Sequence, residues 1–449
     1  MSDPVPHADV STPTHRRLLV AVGVLLMVTL AGMVALWPSA ADLPQPDGEL
    51  LDPLVSGEVL TIDIRPGEAD PTVGLSGEVA DLDILALEGP DEGEVLSIEI
   101  NTDGYPEITA GDRVELDRTI DAETGEVRYF LSDFHRLPTL AWLLALFVGA
   151  VLVISRWHGL RSLIGLALSL AIIVRFVVPA ILAGGNPPLV ALVGAVAVMI
   201  VTLYLTHGIN EMTTAAVVGT SASLGLTVLL GSLFIERGKI TGFASGDAVF
   251  ARSAVEGLDL QGLVLAGLII AALGVLDDVT ISQSSTVFAL HETDPSMTWP
   301  TLFARAMKVG RDHIASVVNT LFLAYTGASI ALLLLFSTGG LAVAEIVNSE
   351  LLAEEIIKTV VGSLGLIMAV PLTTALAASI AVGRPRDAPP LGASHVHGAG
   401  GGSHGVATGD PVAEESGDEL DEEERSRRAW AAYLERYEAA ERDDGPNVG

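Results

Sequence analysis

The sequence predicts an all-α membrane protein: a polytopic helical bundle of about eight transmembrane helices, with a small extracytoplasmic β-rich domain inserted after the first helix. Three observations carry this. Half of the 449 residues are hydrophobic and the mean hydropathy is +0.51, well above that of a soluble chain. The formal charge is nevertheless −32, so charged and apolar residues occupy separate stretches. Residues 37–137 hold 25 Asp and Glu against 5 Arg, a net of −20, and there the apolar residues alternate with polar ones. This acidity argues against a nucleic-acid partner. The absence of cysteine excludes disulfides, thiolate metal ligands and a cysteine nucleophile.

Residues 1–16 read as a disordered, polar, Pro-containing cytoplasmic N-terminus. The first transmembrane helix, 17–37, follows Arg16-Arg17. The small residues from Ala35 to Ala41 resemble a signal-peptide cleavage site. The apolar run from Leu18 to Leu36 is long enough to span, and an uncleaved anchor is favoured. Residues 38–137 form the acidic extracytoplasmic β domain. In it Gly57–Ile64, Glu94–Ile100 and Arg113–Leu116 alternate with period two, as strands of a small barrel or sandwich do. No EF-hand spacing accompanies its carboxylates, so a solvated acidic face is favoured over a calcium site.

Residues 138–383 supply seven further spans, at about 138–154, 162–182, 188–205, 212–235, 258–280, 314–336 and 356–382. With the first span this puts both termini in the cytoplasm of a bacterial cell and residues 38–137 outside. Arg16, Arg17, Arg156, Arg161, Arg305, Lys308, Arg311, Arg384 and Arg386 then obey the positive-inside rule, and the loop with Arg237, Lys239 and Arg252 violates it. Leu341 to Glu355 reads as a short surface helix. Residues 384–413 form a Gly/His-rich linker, in which His395, His397 and His404 read as linker residues more readily than as metal ligands. In the acidic tail, 414–449, Trp430, Tyr433, Leu434 and Tyr437 share one face of an amphipathic helix.

The stretch from Leu260 to His313 carries the chemistry. Asp277 and Asp278 close an apolar run, and ionisable residues at membrane depth mark function by default. Neighbours on a helix point about 100° apart, so at most one of the two faces a given polar path. A carboxylate in a low-dielectric site can load and release a proton near neutral pH. The opposing reading ends the span at Leu276 and leaves both aspartates in headgroup water. Arg175 lies within the third span as a candidate charge partner, and Pro179 with Gly184-Gly185-Asn186-Pro187-Pro188 breaks that helix. His207 and Glu211 flank a tight turn. The following helix, with Gly219, Thr220, Ser223 and Gly225, reads as a close-packing surface. Asn319 and Thr320 are candidate hydrogen-bond partners of the aspartate helix. Arg311 and Asp312 are candidates, with His207 and Glu211, for a cytoplasmic gate. No Walker loop, His-Glu-x-x-His or Gly-x-Ser-x-Gly is present, and no enzyme activity, cofactor or metal is expected.

At these residues the chain resembles the YibE/F-like family of bacterial multi-pass membrane proteins. The resemblance rests on residues 274–283 (Gly-Val-Leu-Asp-Asp-Val-Thr-Ile-Ser-Gln), 309–316 (Val-Gly-Arg-Asp-His-Ile-Ala-Ser) and 318–329. Gly-Gly-Asn-Pro (184–187), Thr-Leu-Tyr-Leu-Thr-His-Gly (202–208) and Val-Pro-Leu-Thr-Thr (370–374) extend it, over roughly Leu50 to Val382. Asp277, Asp278, Arg311, Asp312 and Asn319 lie on its motifs. The resemblance implies a membrane protein and leaves the substrate open.

Two functions are then expected, in order. The first is a secondary transporter or export accessory, proton-coupled through Asp277 or Asp278. The second is a non-transporting scaffold or envelope sensor that binds partners through its outer domain and tail. The expected partners are the lipid bilayer, a small substrate or a protein, with self-association left open.

Overall fold

The structure, a computed structural model, describes residues 13–39, 43, 54–67, 77–120, 125–244, 246–255, 257–338, 340 and 342–384. The linker histidines and the amphipathic tail helix lie outside the described residues. The chain divides into two compact units, 1–392 and 393–449, and every described residue belongs to the first.

The acidic region forms five antiparallel strands, β1 (Val55–Pro66), β2 (Glu78–Ala86), β3 (Val95–Asn101), β4 (Arg113–Ile120) and β5 (Val127–Phe134), in the order β3-β2-β1-β4-β5. The edge strands β3 and β5 approach one another, so the sheet curls towards closure as in a five-stranded OB-type barrel. Bulges at Leu60 in β1 and, opposite Glu115 and Leu116 of β4, at Ser132 in β5 supply the bend. The inward residues Val55, Val59, Leu82, Ile84, Leu96, Ile98, Val114 and Leu116 fill the barrel. Gly57 is required where β1 passes under β2, because a Cβ there would lie 2.4 Å from Ile84 Cγ2. Asp91, in the β2–β3 turn, accepts hydrogen bonds from the Tyr129 hydroxyl and, at 3.1 Å, from Arg118 Nε, tying that turn to β4 and β5.

Six helical segments among the described residues are long and apolar enough to cross a membrane: Arg17–Ala35, Leu137–Leu182, Pro187–His207, Glu211–Arg237, Leu260–Thr293 and Glu350–Gly383. We label the helices α1 (Pro13–Ala35), α2 (Leu137–Ile172), α3 (Val178–Leu182), α4 (Pro187–His207), α5 (Glu211–Arg237), α6 (Gly246–Ala254) and α7 (Leu260–Thr293). They are followed by α8 (Trp299–Ala328), α9 (Ile330–Thr338), α10 (Val343–Asn348) and α11 (Glu350–Gly383). The pair α8 and α9, bent by 59°, makes a seventh candidate if it is one span.

The 46-residue segment Leu137–Leu182 is not one straight rod. Arg156 takes φ 48°, ψ −125°, outside helical space. Just beyond it, a Cβ on Gly159 would lie 2.7 Å from the Val151 carbonyl oxygen. In a continuous helix those residues would stand about 12 Å apart along the axis, so the chain turns sharply at Arg156. A π-helical turn, Ile173–Val177, then leads into α3, whose Pro179 has no N–H to give to the ladder.

Helices α5, α7 and α11 form the centre, packed on small residues. A Cβ on Gly219 would meet Thr373 Oγ1 at 2.2 Å, and one on Gly365 would meet Thr227 Oγ1 at 2.1 Å. Several hydroxyls buried between the helices pair with one another or with the backbone, Thr220 with Thr280 at 2.6 Å and Ser284 to the Met212 carbonyl at 2.8 Å, while Thr373 Oγ1 has no partner among the described residues. Gln283 donates to Thr374 Oγ1 and to the Ala306 carbonyl, joining α7 to α11 and α8.

The bundle has two ends. At one, Trp37 stacks on Phe176 with ring centroids 5.8 Å apart, and the Glu350 carboxylate accepts from the Thr241 and Gly242 amides. At the other, Arg384 Nε lies 2.9 Å from Glu211 Oε2 and Nη1 lies 4.0 Å from Glu292 Oε1, clasping the starts or finishes of α5, α7 and α11. The Trp299 indole donates to Ser379 Oγ at that same end.

Candidate functional site

Helix α7 carries both aspartates well inside its length. It runs from Leu260 through Thr293, so neither aspartate sits at a helix end and the helix continues for four turns beyond them. Asp259 starts the helix by accepting from the Gly262 amide at 2.9 Å.

The two neighbours face differently, as the helical angle requires. Asp277 turns towards α4, where its Oδ2 accepts a hydrogen bond from the Thr202 hydroxyl at 3.0 Å. Thr202 is held in turn by the Val198 carbonyl at 2.8 Å. Asp277 Oδ1 is buried with no hydrogen-bond partner among the described residues. Asp278 is exposed at the side of the same helix.

Both nevertheless line one cavity of about 450 Å³ between α2, α4 and α7, against the expectation that at most one would face a given polar path, because Asp277 sits in its wall and Asp278 at its exposed side. Its polar groups are Ser162 and Ser169 of α2, Thr202, Thr206 and His207 of α4, and the two carboxylates. Gly165 lets α2 approach α4, with Thr202 Cγ2 3.8 Å from where its Cβ would be. Chemically this is a small chamber rich in oxygen acceptors, holding no Lys or Arg on its wall. An enclosed carboxylate oxygen that lacks a donor is an acceptor for a proton or a cation.

Of the residues singled out in the sequence, the structure brings Asp277, Asp278 and His207 together. Arg175 is exposed on the π-helical turn and makes no ion pair with either aspartate among the described residues. Glu211 pairs with Arg384 and not with the Arg311–Asp312 segment. Arg311, Asp312 and Asn319 are exposed on α8. The Thr320 hydroxyl bonds back to the Ser316 carbonyl and not to α7. Sequence reasoning missed Thr202, Ser162 and Ser169. Thr202 and Ser169 bond to carbonyls three or four residues earlier, a habit that makes such hydroxyls look like ordinary helix constituents.

A sequence model for a family described as YibE/F-like protein matches residues 143–383. No curated protein and no solved structure matches the chain.

Proposed function

This chain belongs to the YibE/F-like family of membrane proteins, and from that premise we propose that it is a secondary transporter or export accessory driven through the Asp277/Asp278 helix. The observation that carries the reading is Asp277: one carboxylate oxygen held by Thr202, the other buried without a donor, in a cavity whose walls offer hydroxyls and no fixed cation. A site that binds and releases a proton or small cation needs such an unsatisfied acceptor beside a path to water. His207 and Thr206, on the last turn of α4, stand on that path.

The proposed arrangement has eight spans. The sharp turn at Arg156 divides Leu137–Leu182 into two, and α8 with α9 makes one bent span. An even number returns both termini to the cytoplasm and leaves the β barrel outside the bacterial membrane. The exposed Arg311–Asp312 segment is a cytoplasmic-face element in this arrangement, and the Glu211–Arg384 pair is the latch, because it joins the start of α5 directly to the residue that ends α11. The scaffold reading keeps one observation of its own, an open cleft of about 570 Å³ on the barrel between Ile62, Ile64, Tyr105 and Ile108.

Carbodiimide labelling tests the transporter reading, because the reagent modifies protonated carboxyls in apolar surroundings. Mass spectrometry of the labelled protein is expected to find the adduct on Asp277 and little on Asp278. Thr202→Val should change the extent of labelling at Asp277. An unlabelled Asp277 would leave the scaffold reading ahead.

A further inference from the structure

Strand β1 outruns one of its two neighbours. It pairs with β2 from Gly57 to Pro66 but with β4 only from Val55 to Glu58. Val59 ends that shorter side, donating to the Asp112 carbonyl and accepting from the Gly111 amide. Beyond it, strand alternation decides which way each peptide group faces. The Ala86 amide donates to the Glu94 carbonyl and its carbonyl accepts from the Gly93 amide, so the backbone of Ala86 faces away from β1. Alternation then turns the backbones of Asp83, Asp81 and Val79 towards β1, where their partners are Thr61, Asp63 and Arg65. The Gly67 amide, donating to the Gly77 carbonyl, keeps the same order. The peptide groups of Ile62 and Ile64 lie between these partners and point to the open side of β1. Neither has a backbone partner there among the described residues.

An unpaired strand edge is a template for another extended chain, and natural edges are blunted by lysine, proline or an inward charge. This one presents Ile62 and Ile64, the latter 60% exposed. Both side chains line the cleft of about 570 Å³, with Tyr105 and Ile108 across from them. The cleft also carries the carboxylates of Glu78, Asp103 and Glu107, and no Lys or Arg lines it. Asp63 adds an exposed carboxylate on the edge itself. The next cation along β1, Arg65, is committed to Asp81 and Glu99. An occupant that answers the free peptide groups, the apolar floor and the negative charge together is an extended polypeptide alternating apolar and basic side chains.

We propose that the β1 edge captures an extended basic segment of a partner protein as an added strand. The segment pairs its backbone with Ile62 and Ile64, sets apolar side chains against theirs, and brings basic ones to Asp63 and the carboxylates of the cleft. The proposal rests on the scaffold reading of the barrel cleft and is independent of any transport through the Asp277 cavity.

Hydrogen exchange of the full-length protein in a neutral detergent, resolved to single amides, gives the test. In the free protein the Ile62 and Ile64 amides should exchange fast, and those of Asp63 and Arg65, bonded to β2, slowly. Slow exchange at Ile62 and Ile64 in the free protein would mean that the edge is already covered, and overturns the proposal. The probe is a short fluorescent peptide alternating valine and lysine. Its binding should be saturable by anisotropy and should slow the Ile62 and Ile64 amides. The same peptide N-methylated throughout keeps its charge and side chains but has no N–H to give. Ile64→Pro removes one outward N–H and leaves the β2 ladder intact, as continued slow exchange at Asp63 would verify. Each change should weaken binding by about tenfold or more. A counterpart with glutamate in place of lysine should not bind. Equal binding of the N-methylated or the acidic peptide overturns the proposal. Saturable binding that leaves Ile62 and Ile64 in fast exchange would keep the cleft as a binding surface, and with it the scaffold reading, but overturns the added strand. Absence of binding overturns the proposal and leaves the labelling of Asp277 as it stands.

Discussion

At the scale of single residues, adjacent aspartates have been given different work by a rotation of about 100°. Asp277 is paired and enclosed, whereas Asp278 looks outward. A different carboxylate allows a prediction with a definite sign. In the barrel, Asp91 is held below the usual carboxylate range, first by the Tyr129 hydroxyl; burial, the next-largest effect, opposes this, and Arg118 adds to the lowering. A folded-state value below the unfolded one, about 3.9, means that this stabilisation is present in full above that value and is lost as pH falls through the folded value. Hydrogen exchange of β4 and β5 in the full-length protein, corrected for intrinsic rates, should therefore show protection that declines below about pH 4. Asp91→Asn should lower protection at neutral pH and flatten that acid limb. An acid limb of unchanged size in the variant would show that other carboxylates set it.

At the scale of elements, the contacts of the glycines separate packing from decoration. Gly365 on α11 faces Thr227, which is fully buried and bonded to the Ser223 carbonyl at 3.0 Å. Gly365→Ala should cost about 1–3 kcal/mol through overpacking, read as a lower unfolding temperature in detergent. Thr227→Ala in the same chain should restore part of the loss, because it removes the atom the new methyl strikes. Gly225→Ala, with nothing within 4 Å, should stay within about 0.5 kcal/mol. Gly219, Thr220 and Ser223 of α5 were legible as a packing face, whereas Gly225, read with them, is exposed, and α1, α4, α5 and α11 were legible as long apolar runs.

Other elements were hidden for identifiable reasons. β2 was not named from the sequence although it alternates, with Leu82, Ile84 and Ala86 inward and Asp81 and Asp83 between them. β5 buries only Leu131 and offers no period to see. The first half of α8 is amphipathic and basic, so hydropathy places the span's start near residue 314 while the helix begins at Trp299. The run reading 258–280 undershot α7, because Ser282, Gln283, Ser284 and Ser285 lower its hydropathy although Gln283 and Ser284 are buried against other helices. Arg175, expected to be the charge partner of an aspartate, is instead exposed, because the π-helical turn, which the sequence did not reveal, sets the direction in which it points. The Leu341–Glu355 loop divides at Ser349: Val343–Asn348 is its own short helix, and from Glu350 the chain already belongs to α11.

At the scale of the molecule, the side-chain contacts fix which loops share an end, and the basic residues propose which end is cytoplasmic. Glu350 gripping Thr241 and Gly242 puts the α5–α6 and α10–α11 connections together with Trp37. Arg384, Glu211 and Glu292 define the other end, to which the turn at Ile209 belongs. Arg237, Lys239 and Arg252 all fall at the Trp37 end, against the positive-inside rule, and among them Arg252 is held by its own loop. Its guanidinium is committed locally, however, donating to the Leu258 carbonyl at 2.8 Å and lying 5.4 Å over the Phe243 ring. A cation satisfied by its own loop exerts less hold on orientation than the free arginines beside Arg156 and Arg311. The orientation we propose has the Trp37 end outside, with Arg237 and Lys239 opposing it, and single cysteines test it. Phe243 is 50% exposed and Ile209 84% exposed, so each accepts the substitution at little cost to packing. On intact cells, a membrane-impermeant maleimide should label Phe243→Cys and Tyr105→Cys, on the barrel, while Ile209→Cys reacts only after lysis. Labelling of Ile209→Cys on intact cells with protection of Phe243→Cys would invert the molecule, turn the acidic barrel towards the cytoplasm and make the cavity beside His207 open to the outside.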